Sequence, residues 1–209
     1  MTARVVALTG VSGVGKSTLI KALTATLPFT DFQASALIKE GRSAAGNAVT
    51  QDQLRLVDVD ENQRFLVEGF RRKAGAKSGL VILDGHTVVE KGDELVPIDP
   101  AVFQVIAASS MIFLADDPRC IAERRRDDTS RKRPLLSFER LRHIQDTARE
   151  QAAVICRALD VDLHVYRPDE FANVAARLQQ QNWAWTDTPS PKFKLRQRQT
   201  PRRVLLALA

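Results

Sequence analysis

Two cysteines in 209 residues exclude a disulfide framework. Cys120 and Cys156 stand far apart, within helical patterns, and form no metal-type pair. Both are expected as buried, reduced core thiols. No stretch approaches the roughly 20 apolar residues of a membrane-crossing helix, so no membrane partner is expected. Met1 to Val5 leads straight into an apolar strand, which is not the pattern of a secretory leader. A cytoplasmic location is the resulting expectation. No internal repeat is present, which excludes a repeat array.

What is present is enough for one α/β domain with a short extension: 209 residues, of which 44% are hydrophobic. The formal net charge of +6 is unevenly placed. Lys192, Lys194, Arg196, Arg198, Arg202 and Arg203 face Asp187 alone within residues 182–209. That segment therefore carries +5, and residues 1–181 carry only +1. The body is nearly neutral and the tail basic.

Strand and helix patterns alternate along the chain. Val5 to Thr9 is a continuous apolar run, read as a buried strand. Ser17 to Leu27 has helical spacing and stops at Pro28. Phe32 to Lys39 reads as a second short helix, Gly41 to Asn47 as a loop, and Asp52 to Lys73 as a longer helix. Leu80 to Leu83 is a strand ending on Asp84, and Ser110 to Leu114 another. Arg119 to Asp127 is helical and basic. Ser137 N-caps a helix running to Leu159. Leu163 to Tyr166 and Asp169 to Gln180 give a last strand and helix. This alternation predicts a central parallel sheet covered by helices on both faces, with ligands at the carboxyl ends of the strands.

Residues 10–18 form a complete G-x-x-x-x-G-K-[ST] phosphate loop: Gly10, Val11, Ser12, Gly13, Val14, Gly15, Lys16, Ser17, Thr18. It follows a strand and opens a helix, as its mechanism needs. The glycines let successive N–H groups curl toward a polyphosphate, and the helix beginning near Lys16 adds the positive end of its dipole. Lys16 would reach the β- and γ-phosphates of ATP, and the Ser17 hydroxyl would ligate Mg²⁺.

Asp84 at a strand end either organises that Mg²⁺ or N-caps the next turn. His86 orients a phosphate or a water, or satisfies a backbone carbonyl. Arg124 to Arg133 holds six cations in ten residues and is broken by Pro134. It is either a solvated charged face or a mobile lid, at about 124–136, whose arginines stabilise a transferring phosphoryl group and exclude water. Arg149, among Ala148, Ala152 and Ala153, and Arg55 are each open to an active-site or a solvent-facing reading. Gln63 joins Arg55 and His86 as a candidate substrate-binding residue.

Several stretches then fall in a recognisable order. They are Thr9 to Thr18, Asp52 to Arg55, Val81 to His86, Leu95 to Ile98, Asp116 to Pro118, Asp127 to Arg133, and Thr147 to Arg149. Over residues 3 to about 178 the chain resembles the archaeal-type adenylate kinases and, more distantly, the ribosome-associated adenylate kinase-like ATPases. The resemblance implies a P-loop nucleoside monophosphate kinase fold: a three-layer α/β/α domain over 1–178, with a monophosphate-binding helical segment and an arginine-rich lid. By matched position Arg55 would hold the monophosphate, Arg124, Arg131 and Arg133 would close on the phosphates of ATP, and Arg149 would bridge donor and acceptor. Three phosphate-site arginines (Arg131, Arg133 and Arg149), with Lys16 and Asp84, then make the expected catalytic set. Phosphoryl transfer from ATP·Mg²⁺ to AMP is the implied reaction. A nucleotide-driven assembly switch and a kinase of another small acceptor are the alternatives.

Residues 179–209, with Trp183, Trp185, Phe193 and three prolines, cannot bury a core of their own. They are expected either as a solvated tail or as an anchor to nucleic acid or an acidic partner.

Overall fold

The computed structural model describes residues 3–50, 53–55, 57–74, 77–129 and 134–183, without the side chains of Arg55 and 181–183. Strand β1 (Arg4–Gly10) is buried along its whole length. Only the centre of a sheet covered on both faces allows that. It lies parallel between β3 (Leu80–Asp84) and β6 (Ala108–Leu114), with Ala7 opposite both Leu83 and Met111. Strands β2 (Thr30–Gln33) and β7 (Leu163–Tyr166) form the edges, giving the order β2-β3-β1-β6-β7. Every pairing is parallel, so all five strands end on one side of the sheet. The chain leaves β1 toward one edge and later returns to the other. The crevice at that reversal opens at the carboxyl end of β1.

Helices α1 (Lys16–Leu23), α2 (Ala34–Ala44), α3 (Val59–Ala74), α4 (Pro100–Val105), α5 (Pro118–Asp127), α6 (Phe138–Leu159) and α7 (Phe171–Trp183) cover the sheet. Three of these starts, those of α4, α5 and α6, follow from side-chain caps. Asp99 and Asp117, each followed by proline, accept from Ala101 N at 2.7 Å and Arg119 N at 2.8 Å. Ser137 accepts from Arg140 N at 3.1 Å, as its position predicts. Leu141, Ile144, Ala148, Ala152 and Ile155 recur at helical spacing and bury one face of α6. No helix among the described residues is long and apolar enough to cross a membrane.

The structure departs from the expected elements in several places. Thr30–Gln33 is strand, so the helix read from Phe32 begins only at Ala34 and runs on to Ala44, taking in the first four residues of the loop expected at Gly41 to Asn47. A four-residue edge strand with alternating exposure carries too little apolar signal to be seen in the sequence. Gly41 lies in the helix because α2 and α3 approach closely there. A Cβ on it would stand 2.9 Å from the Phe65 ring. Arg42 locks the same contact, donating to Asn62 Oδ1 at 2.7 Å and Glu61 Oε2 at 2.6 Å. The helix read over 52–73 is a short 3₁₀ turn at Gln53–Arg55 followed by α3. Helix α1 ends at Leu23, four residues before the expected stop. An antiparallel hairpin, β4 (Val88–Lys91) and β5 (Glu94–Pro97), and the short α4 follow β3 without having been anticipated. Helix α7 continues through residues 179–183, and the rest of the basic tail lies outside the described residues.

Candidate active site

The carboxyl end of β1 turns directly into the phosphate loop. Gly10, Gly13 and Gly15 all have positive φ, at +143°, +83° and +115°. At the first two, space as well as conformation demands glycine. A Cβ on Gly10 would stand 2.8 Å from the Leu114 carbonyl oxygen, and one on Gly13 2.7 Å from Arg125 Cγ. Gly15 is the N-cap of α1 and has no capping side chain, so the first N–H groups of the helix have no side-chain acceptor there. Ser17 and Thr18 are exposed at this end.

Lys16 is buried beneath the loop. Its Nζ donates to Gly10 O at 2.9 Å and lies 3.5 Å from His86 Nε2 and 3.8 Å from Asp84 Oδ1. Lys16, Asp84 and His86, chosen from the sequence as separate sites, therefore form one group. Thr87 donates to Ala148 O at 2.6 Å, so α6 is fastened to the turn that carries His86. Arg149, one residue on, has an exposed side chain.

Arg124 reaches the loop, donating to Val14 O at 3.2 Å. Asp116 holds it at 2.5 Å and Arg167 at 3.5 Å. Gln145 fixes Asp116 in turn through both of its backbone groups, at 2.9 and 3.0 Å. Arg124 to Asp127 belong to α5, so the expected lid boundary at 124 falls inside a helix. Arg131 and Arg133 lie outside the described residues, as does the side chain of Arg55.

Beside the loop lies a cavity of about 190 Å³. Ile38, Leu54, Val59, Leu66, Val88 and Phe103 give it a largely apolar wall. Ser12 and His86 border it on the loop side, and Asn62, Gln63, Glu90 and Arg125 add polar groups. Gln63, a candidate substrate-binding residue, lines it too, and its amide accepts from Asp99 N at 3.0 Å and donates to Asp60 at 3.1 Å. It shapes the wall through these bonds.

Two charged residues of this region escaped the sequence reading. Asp31 on β2 has an exposed side chain, yet its carboxyl titrates above its ordinary range, first because neighbouring protein takes part of its hydration and then because of the charge on Asp84. The two carboxylates are thus electrostatic neighbours at the sheet end, and the unseen β2 is why Asp31 was missed. Arg125 is the inward member of three consecutive arginines. The available signal was its spacing, four residues after the fully buried Ile121. Ser17 and Asp84 offer a hydroxyl and a carboxylate, the donor types that a Mg²⁺ would take beside phosphate and water. Among the described residues no cluster of three or more His, Cys, Asp or Glu could hold a metal alone.

A family model described as AAA domain matches residues 9–142 of this chain. The adenylate kinase of Sulfurisphaera tokodaii is 28% identical over 149 residues, covering 64% of this chain and 74% of the relative. That of Pyrobaculum aerophilum is 25% identical over 182 residues, covering 82% and 92%. Among solved structures, shikimate kinase from Acinetobacter baumannii in complex with shikimate aligns with a TM-score of 0.55 at 13% identity, covering 90% of this chain and 97% of the other. At that identity the likeness is one of fold.

Proposed function

This chain belongs to the AAA domain family, and on that premise we propose that it is an adenylate kinase, moving the terminal phosphoryl group of ATP to AMP. At the coarser level it is a phosphotransferase of the nucleoside monophosphate kinase type. The observation that carries the finer reading is a phosphate loop sharing Ser12 with a mostly apolar cavity, with Lys16 and His86 at their junction. A donor polyphosphate and a planar acceptor base could then occupy adjoining compartments. The curated relatives named adenylate kinase point to AMP as that acceptor.

In this reading the loop amides and Lys16 hold the phosphates of ATP, with Arg124 above them. Ser17 and Asp84, with Asp31 nearby, would hold Mg²⁺, which when bound would spread the charge of the phosphates. The acceptor oxygen attacks in line, with no covalent enzyme intermediate. Positioning and charge stabilisation supply most of the rate. Arg55 grips the acceptor phosphate, while Arg131, Arg133 and Arg149 neutralise the transferring group. The apolar wall excludes water that would otherwise accept the phosphoryl group.

An assay of ATP·Mg²⁺ against AMP, dAMP, CMP, UMP, GMP and dTMP tests the proposal. Strongest diphosphate formation with AMP is expected. Preferential transfer to another monophosphate would keep the kinase and change its acceptor. Hydrolysis without transfer, rising with RNA, would replace the proposal with a nucleotide-driven switch.

A further inference from the structure

We propose that Arg125 is the cavity's own anchor for the anionic group of the acceptor, a phosphate monoester. The inference rests on the acceptor assignment above and adds a residue to it.

Three observations converge. Arg125 is buried, yet its side chain lines the cavity next to the phosphate loop. Its stem lies against Gly13, which puts it where donor and acceptor compartments meet. Its hydrogen bonding is also incomplete. Nη2 donates to Glu90 Oε1 at 2.7 Å, while Nε and Nη1 are buried with no hydrogen-bond partner among the described residues.

Leaving buried donors of a cation unmatched is costly, and such a group calls for an explanation. Arg42, also buried, shows how this chain satisfies a structural guanidinium. It makes two side-chain hydrogen bonds and lies 5.3 Å from the Phe65 ring centroid. Arg4 does keep two unmatched nitrogens, but it sits at the opposite end of β1, reaches Leu178 O, and lines neither described cavity. Among the described residues, Arg125 alone combines unmatched donors with a cavity beside a phosphate loop. Glu90, on the β4–β5 hairpin, holds the guanidinium in place through Nη2 and leaves Nε and Nη1 without a protein partner among the described residues. A phosphate monoester has the oxygens and the charge to take them.

The test is calorimetric titration of AMP, and separately of inorganic phosphate, into the full chain saturated with Mg²⁺ and a non-hydrolysable ATP analogue. Filling the loop first confines the second ligand to the cavity. Arg125→Leu is expected to weaken AMP by roughly 10- to 100-fold, the worth of a hydrogen bond to a charged group. Its affinity for the ATP analogue should stay within about threefold of the parent. Arg125→Lys keeps the charge and a donor for Glu90, so it should fall between. Glu90→Gln keeps an acceptor for Nη2 and removes a negative charge, so it should bind AMP at least as well as the parent. If Arg125 served only as a partner for Glu90, Arg125→Leu would lose stability but neither the Leu nor the Gln variant would change AMP affinity. That result overturns the proposal, as does unchanged AMP and phosphate binding by Arg125→Leu. Should Arg125→Leu not fold, the Lys and Gln variants carry the same comparison. Should the parent bind phosphate through Arg125 but not AMP, the adenylate reading fails and the anchor stands. Binding of neither ligand overturns both.

Discussion

Gly10→Ala perturbs the point where the sheet becomes the phosphate loop, and the structure sets its cost. Two penalties combine. Gly10 has φ +143°, which L side chains rarely adopt, and holding alanine there costs about 1–3 kcal/mol. The new methyl would also stand 2.8 Å from the Leu114 carbonyl oxygen and 3.0 Å from Val14 Cγ1. Leu114 cannot yield cheaply. It is fully buried and pairs with Gly10 in the β1–β6 ladder. Overpacking of this kind adds about 1–3 kcal/mol. The total, roughly 2–6 kcal/mol, is a large part of the 5–15 kcal/mol that holds an ordinary domain together. At about 2–4 °C per kcal/mol for a chain of this size, the melting temperature should fall by roughly 5–20 °C. Gly79→Ala is the control: its φ is +85° but, its chain neighbours aside, no atom of the described residues lies within 4 Å of the new methyl. It should lose only the backbone share, about 1–2 kcal/mol. Urea melts of both variants decide the matter. If Gly10→Ala proves no less stable than Gly79→Ala, the steric argument for the loop's first glycine is wrong.

Two further outcomes follow from the titrating groups. Because the folded chain raises the Asp31 carboxyl above 3.8, it binds that proton more tightly than the unfolded chain does. Stability from this group therefore falls as pH rises from about 3.8 through the folded value, and the cost is complete at neutral pH. Asp31→Asn should melt higher than the parent at pH 7, with the advantage shrinking toward pH 4; a lower melting temperature at pH 7 would contradict this. The Cys156 thiol is pushed up to about 11 by burial and by the charge of Asp162, and Cys120 is only half-buried. Iodoacetamide at pH 8, where about one Cys156 in a thousand is ionised, should label Cys120 in the folded chain and both cysteines after unfolding. Equal labelling rates in the folded chain would refute the burial argument.

The central strands were legible because burial on both faces demands unbroken apolar runs, as in Val5 to Leu8 and Leu80 to Leu83. The phosphate loop was legible because its glycines and Lys16 serve local geometry. Caps at Asp117 and Ser137 act over two or three residues, so α5 and α6 begin close to where the sequence placed them. What was missed depends on long-range packing. The strand Thr30–Gln33 exists because β3 pairs with it, and the hairpin Val88–Pro97 because its two halves pair with each other. Missing β2 hid Asp31. Arg125 looked like one of six interchangeable cations until α5 turned it inward beneath Gly13, while Arg124 next to it turned toward Val14 and Asp116. Charge runs do not announce which member is buried; the helical phase relative to Ile121 does.

The most direct measurement of the central claim is ³¹P spectroscopy of the full chain with ATP, AMP and Mg²⁺, run beside Lys16→Ala. The account predicts two ADP formed for each ATP consumed, no accumulation of inorganic phosphate, and no turnover by Lys16→Ala. Inorganic phosphate released from ATP while AMP stays intact would contradict it, as would a fully active Lys16→Ala protein.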